Sequence, residues 1–127
     1  MNSIHFRQLQ DPNLINGTSF FNDVVFATPN EMKYLLGEPT FEQNDGKGKV
    51  NMEWNLEMED GNVITVYDYK EHKPLHPNGR VEWHIGGNFR FDTHLAKQLL
   101  SEELQQAHDE LNHQMNFKRK FAQNGDY

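Results

Sequence analysis

Residue types that could bind a ligand are concentrated between positions 83 and 88, where the chain reads WHIGGN. Trp83 and Ile85 alternate as in a half-buried strand, and the Gly86-Gly87 pair then permits positive φ and close approach of another backbone or a ligand. Asp92 follows at a position suited to cap a helix. A strand, a glycine loop and a helix N-terminus in this order can present unpaired N–H groups to an anion. A purely structural turn remains the alternative, because Gly-Gly alone is a weak motif.

Cations and further aromatic side chains lie in two other segments, a glycine-rich loop over residues 41–49 and the end of a strand near residue 67. Their rings could stack on bases, and their cations and the glycine N–H groups could meet phosphates. This combination is typical of a site for a small anionic aromatic molecule. The candidate ligand-binding residues are Lys47, Lys49, Tyr67, Tyr69, Lys70, Trp83, His84, Gly86, Gly87 and Arg90.

Catalytic and metal sites have weaker support in the sequence. His72, His76 and His84 could join Asp68 at a metal, but two of these histidines lie in a loop and none forms an i, i+4 pair on a helix. No serine occupies a nucleophile elbow. Glu53 could serve as a base, yet an alternating strand would contain such a residue anyway. We therefore expect no catalytic residue, metal or cofactor, although an enzyme is not excluded.

Composition limits the class of partner. The chain has 127 residues, no cysteine, 12 Lys and Arg and 19 Asp and Glu, for a formal net charge of −7. That charge argues against general affinity for DNA or RNA, so an anionic ligand needs a local basic pocket. No window approaches the roughly 20 apolar residues of a membrane span. The length predicts a single domain, residues 1–127.

Strong local signals mark the first elements after a short strand or irregular arm within residues 1–19. Residues 20–27 are rich in Phe and Val, which predicts a strand. Thr28 can cap a helix that has Pro29 at its first position and Glu31 in a capping box. Gly37 ends this short helix.

A hairpin follows, because residues 50–58 alternate strictly and precede Asp60-Gly61. A two-residue turn would pair Leu56 with Thr65. A three-residue loop with a bulge at Gly61 pairs Leu56 with Ile64 instead and buries more matched apolar surface, so we predict this register. It places these polar and aromatic residues together on the opposite face: Asn51, Glu53, Asn55, Thr65, Tyr67 and Tyr69. Ordinary cross-strand pairing on a solvated face stays an open alternative.

The remaining pattern is a loop over residues 71–80, a strand over residues 81–85, and a helix from Asp92 onward. Apolar residues recur at helical spacing to Met115, although a second helix could restart at Ser101. A helix of that length outreaches a small sheet, which predicts a dimer or tetramer. The expected fold is α+β, a small antiparallel sheet packed against a short helix and a long C-terminal helix.

Several of these motifs together resemble a family of small phage proteins, the anti-CBASS sponges. In that family a GEP follows a strand and a short helix, an EW strand leads through DG to the pattern IY-N-W-K, and WHIGG precedes the last helix. The matching residues are Gly37-Glu38-Pro39, Glu53-Trp54, Asp60-Gly61, Tyr67-Asp68-Tyr69-Lys70 and Trp83-His84-Ile85-Gly86-Gly87. The likeness covers about residues 24–100. Tyr69 departs from it, because the family has Trp there, and residues 101–127 form a helical extension beyond it.

The resemblance implies a homo-oligomer in the cytoplasm of a bacterial host, with no DNA, RNA or membrane partner. It further implies sequestration of a cyclic dinucleotide signal such as 3′3′-cGAMP, without cleavage, and so a block of anti-phage signalling. Two alternatives stay open: a phage inhibitor that binds a host protein, and a cyclic-nucleotide phosphodiesterase.

Overall fold

The computed structural model describes residues 2–125, with side chains described as far as residue 116. Within these limits the elements are β1 Phe6–Gln8, β2 Ser19–Ala27, α1 Pro29–Leu36, β3 Phe41–Glu42, β4 Met52–Met58, β5 Val63–Tyr67, β6 Val81–Gly87 and α2 Arg90–Gly125. A short 3-10 helix, Pro12–Ile15, lies between β1 and β2. The predicted α+β fold, with one short and one long helix, is confirmed.

All strands join one antiparallel sheet, in the order β1-β4-β5-β6-β2. β3 pairs with the first residues of β4, on the same edge that β1 occupies farther along. The opposite edge of the sheet is β2, which pairs only with β6 among the described residues. Both helices pack on one face of the sheet, here called the helix face, and we call the other side the open face.

Two tryptophans form the centre of the core on the helix face. Trp54 and Trp83 are fully buried and meet edge to face, with ring centroids 5.4 Å apart. Each indole N–H finds a carbonyl, Trp54 at Gly37 and Trp83 at Ala27, both at 3.0 Å. Because a buried indole needs such a partner, these bonds fix the ends of α1 and β2 against the sheet.

The first helix begins and ends where the sequence predicts. The Oγ1 of Thr28 accepts from the backbone N–H of Glu31 at 3.0 Å, and the Glu31 carboxylate accepts from the Thr28 N–H at 2.8 Å. Pro29 is the first residue, and Gly37 follows the last turn with φ of +82°. The predicted capping box and glycine stop are confirmed.

The predicted hairpin register is also confirmed. Leu56 lies opposite Ile64 and Trp54 opposite Val66, around a tight loop in which Gly61 has φ of +87°. The register decides the open face, because it sets which β4 and β5 side chains point away from the helices. The loop before the hairpin contains one element that the sequence does not predict, the two-residue strand β3.

The expectation of a glycine loop after Ile85 is wrong. Gly86 and Gly87 are the last residues of β6, buried between β5 on one side and β2 on the other, and neither has positive φ. The glycines are needed for close packing. A Cβ on Gly86 would lie 2.4 Å from Thr65 Oγ1, and one on Gly87 would lie 2.8 Å from Thr93 Cγ2.

The long helix starts earlier than predicted and is unbroken. It begins at Arg90, so Asp92 lies in the first turn rather than at the cap, where its carboxylate accepts from the Asn62 side chain at 2.9 Å. No second helix restarts at Ser101. None of the described helices is long and apolar enough to cross a membrane. Residues 126 and 127 of the predicted extension lie outside the described part.

Candidate functional site

Sheet pairing places a row of chemically useful side chains across the open face. Glu53 of β4 pairs with Tyr67 of β5, and Tyr67 pairs with His84 of β6. Phe41 of β3 extends the row beyond Glu53, and Val24 of β2 extends it beyond His84. Directly paired residues in an antiparallel sheet share a face, so five strands contribute to one surface.

Four rings meet in this row, and we call them the ring cluster: Phe20, Tyr67, Tyr69 and His84. His84 is central, because its ring stacks on Phe20 at 4.2 Å and lies 5.6 Å from Tyr67 and 5.5 Å from Tyr69, measured between centroids. The two tyrosines are 6.3 Å apart, edge to face. Phe20 and Tyr69 remain 39% and 41% exposed, so the cluster offers aromatic surface to solvent.

Phe20 reaches His84 because of two local features. The pairing of β2 with β6 shifts register between Phe20 and Val24, and Asn22 in that interval has φ of +72°. Phe20 then lies opposite Gly86, which has no side chain to displace the ring. The place of Phe20 beside His84 could not be predicted from the sequence, because a bulge of this kind changes which side chains share a face.

Two lysines border the ring cluster. The Lys70 Nζ lies 5.2 Å from the centroid of the Tyr69 ring, within the range of a cation–π contact. The backbone N–H of Lys70 donates to the Lys49 carbonyl at 2.8 Å, which joins the strand end to the glycine-rich loop. Lys47 is exposed farther along that loop. Of the predicted cations, Lys70 therefore contacts a ring of the cluster, and Lys49 is joined to Lys70 through the backbone.

A buried carboxylate holds this corner together. Asp68 is fully buried, and its Oδ1 accepts from the backbone N–H groups of Asn51 at 2.8 Å and Met52 at 2.9 Å. The Asn51 side chain donates to Asp68 Oδ2 at 2.9 Å and accepts from the Gly46 N–H at 3.0 Å. In the sequence Asp68 is a candidate metal ligand. In the structure it connects the loop that carries the lysines to the strand that carries the tyrosines.

Glu53 is an open-face residue whose carboxyl group has a shifted pKa. Burial raises the pKa of its carboxyl group, and among the described residues it forms no hydrogen bond or salt bridge. Burial also raises the pKa of Tyr67, and the negative charge of Glu53 adds to that effect. A partly buried acceptor without a donor, flanked by rings, is a group that a ligand could satisfy.

Three of the predicted site residues contact parts of the structure other than the ring cluster. Trp83 is wrong as a stacking residue, because it is fully buried in the core. Gly87 contacts Thr93 on the helix face, and its place in the ladder contradicts an anion-binding loop. Arg90 lies at the start of α2 with its guanidinium 6.0 Å from the Phe21 ring. Gly86 does lie beside the cluster, under Tyr67, but as a strand residue.

Part of the predicted polar surface is covered. Asn55 and Thr65 do lie on the open side, yet both are buried. The 3-10 helix packs against β5, which carries Thr65, and the Leu9 N–H donates to the Asn55 carbonyl at 3.0 Å. Asn51 is buried through its bonds to Asp68. Around Tyr67 and His84 the accessible part of the face is aromatic, with Glu53 and Lys70 beside the rings.

No protein-family model matches the chain, and no curated protein or solved structure matches it. The resemblance to anti-CBASS sponges therefore stays a prediction drawn from motifs.

Proposed function

We propose that this chain binds and sequesters a cyclic dinucleotide such as 3′3′-cGAMP, without cleaving it, and so blocks anti-phage signalling in the cytoplasm of a bacterial host. The observation that carries the proposal is the ring cluster itself, in which Phe20, Tyr67 and Tyr69 surround His84 on an accessible sheet face. Nucleotide bases stack on such aromatic platforms, and each stacked base contributes about 1–3 kcal/mol.

The neighbouring charges fit the same class of ligand. Lys70 lies over the Tyr69 ring, and Lys49 is bonded to Lys70 through the backbone, so we assign these two cations to a phosphate. Glu53 would accept from an N–H donor on a base edge, as carboxylates do in nucleic-acid recognition. Sequestration requires affinity rather than turnover, and stacking rings with nearby cations supply contacts of the kind that give affinity.

The proposal includes self-association through the far end of α2. Leu104 and Ala107 are buried against the chain's own sheet, whereas Leu111 is half-buried and Met115 is 53% exposed. The helix continues to Gly125, beyond the part that packs on the sheet. An amphipathic helix with an uncovered apolar stripe is favourable for packing against a second copy, most simply as a dimer or tetramer.

One experiment separates the proposed function from its two rivals. The protein is incubated with a panel of cyclic nucleotides that includes 3′3′-cGAMP, separated from free nucleotide, denatured and analysed by chromatography. We expect intact ligand to be released. A linearised product would identify a phosphodiesterase, and no retained nucleotide would favour an inhibitor that binds a host protein.

The Tyr69→Ala variant tests the role of the ring cluster. Because Tyr69 is exposed, its removal should weaken cyclic dinucleotide binding by about 1–3 kcal/mol while changing the melting temperature little. Calorimetry and thermal melts measure both quantities. Phe91→Ala is the matched control, since Phe91 is 74% exposed and lies outside the cluster. Unchanged affinity in Tyr69→Ala would rule out stacking on this ring.

A further inference from the structure

A concave feature of the described residues lies away from the ring cluster, between β2 and α2. This groove has a volume of about 620 Å³. Its strand wall is the segment Val24–Thr28, and its helix wall includes Lys97, Leu104 and His108. Helix residues at these positions recur on one face of α2, so the groove follows the helix for about three turns.

The strand wall is the free edge of the sheet. β2 pairs with β6 on one side, and no described strand pairs with it on the other. Alternate residues of an edge strand direct their N–H and C=O groups outward, where they can pair with an added strand. An extended peptide binds such an edge through its main chain and places alternate side chains in the flanking pockets.

The groove has the opposite charge to the whole chain. Arg80 and Lys97 line it, and neither forms a salt bridge within the described part of the chain. Its acidic residue, Glu31, is already engaged, because it accepts from the Thr28 N–H at 2.8 Å and lies 2.5 Å from His108 Nδ1. A local positive charge on a chain of net charge −7 selects for an acidic occupant.

We infer that this groove receives an extended acidic segment of another protein, which adds to β2 as an edge strand with its carboxylates at Arg80 and Lys97. A second copy of this chain fits the charge less well. The acidic residue of β2 is Asp23, which is buried and accepts from Thr93 Oγ1 at 2.7 Å, so a symmetric β2 pair would bring no carboxylate to the cations.

The test uses the full chain and fluorescein-labelled, end-capped peptides in which valine alternates with glutamate or, as the control, with lysine. Fluorescence anisotropy should show saturable binding of the glutamate peptide and at least about tenfold weaker binding of the lysine peptide. Lys97→Glu should lose most of the affinity for the glutamate peptide. Lys73→Glu is the matched control, because Lys73 is exposed and lies outside the groove.

Backbone methylation distinguishes strand addition from simple charge attraction. Two versions of the glutamate peptide carry N-methyl groups on alternate residues, one on odd and the other on even positions. An added strand pairs through one edge only, so one version should lose binding and the other should keep it.

Three results would overturn the inference. These are no saturable binding of the glutamate peptide, equal effects of the two methylation patterns, and equal effects of Lys97→Glu and Lys73→Glu. Hydrogen exchange tests the other occupant. If residues 24–28 become protected from exchange as the protein concentration rises, without any peptide, the groove receives a second copy of this chain. None of these results depends on whether the ring cluster binds a nucleotide.

Discussion

At the scale of single residues, Glu53 is the position where stability and the proposed function oppose each other. Its carboxylate lies between Phe41 and Tyr67, and burial raises its pKa because the charged form loses solvation. No described side chain compensates that cost. A residue that destabilises the free protein but could satisfy a donor on a base is a typical feature of a binding site.

The Glu53→Gln variant should therefore be more stable and bind less well. The pKa of Glu53 is raised above its ordinary 4.5, so the wild type loses stability as the pH rises from 4.5 through the folded-state pKa. Glutamine does not titrate, and its stabilising effect should be full at neutral pH and vanish near pH 4.5. Denaturant unfolding at several pH values measures this.

In the same variant, cyclic dinucleotide binding should weaken by about 1 kcal/mol, because the amide oxygen of glutamine accepts a weaker hydrogen bond than a carboxylate does. Glu82→Gln is the control, since Glu82 is exposed and pairs with Phe26, which is not part of the ring cluster. Equal affinity of Glu53→Gln and the wild type would show that the ligand does not contact this carboxylate.

At the scale of elements, the end of β6 determines how closely α2 approaches the sheet. Gly87 has no Cβ, and this lets the fully buried Thr93 lie directly against the strand. Thr93 cannot turn away freely, because its hydroxyl donates to Asp23 at 2.7 Å.

The Gly87→Ala variant should destabilise the fold by about 1–3 kcal/mol, the usual cost of overpacking a core. The new Cβ would lie 2.8 Å from Thr93 and 3.3 Å from Ile64, so α2 or β5 must shift. Gly48→Ala is the control, because its nearest atom would be the Val50 carbonyl at 3.5 Å. Equal melting temperatures for both variants would mean that α2 is not held closely at this strand.

The elements also show what could be predicted from the sequence. The capping box at Thr28 and the β4–β5 register were predictable because short-range hydrogen bonds and apolar pairing decide them. The role of Gly86-Gly87 was not, because it depends on Thr65 and Thr93, which come close only in the folded chain. The same holds for Phe20, whose contact with His84 follows from a bulge, and for Trp83, whose core position depends on Trp54.

At the scale of the whole molecule, the described residues present three surfaces that could bind a partner. The ring cluster lies on the open face, the groove follows the free edge of β2, and the exposed end of α2 projects past the core. The ring cluster contains no residue of α2, so association through the end of α2 would leave it free, and assembly can be tested separately from nucleotide binding.

The Met115→Glu variant should convert the oligomer to a monomer. Met115 lies on the same helix stripe as Leu111, past the last residues buried in the core, so a charge there would be desolvated only in an assembly. Light scattering at micromolar concentration should report a multiple of the chain mass for the wild type and the mass of a single chain for Met115→Glu. The control is His113→Glu, which lies on another face of the helix and should keep the wild-type mass. The Met115→Glu substitution should change the stability of the single folded chain little, because Met115 is 53% exposed there. A wild-type protein that is already monomeric under these conditions would contradict self-association through α2.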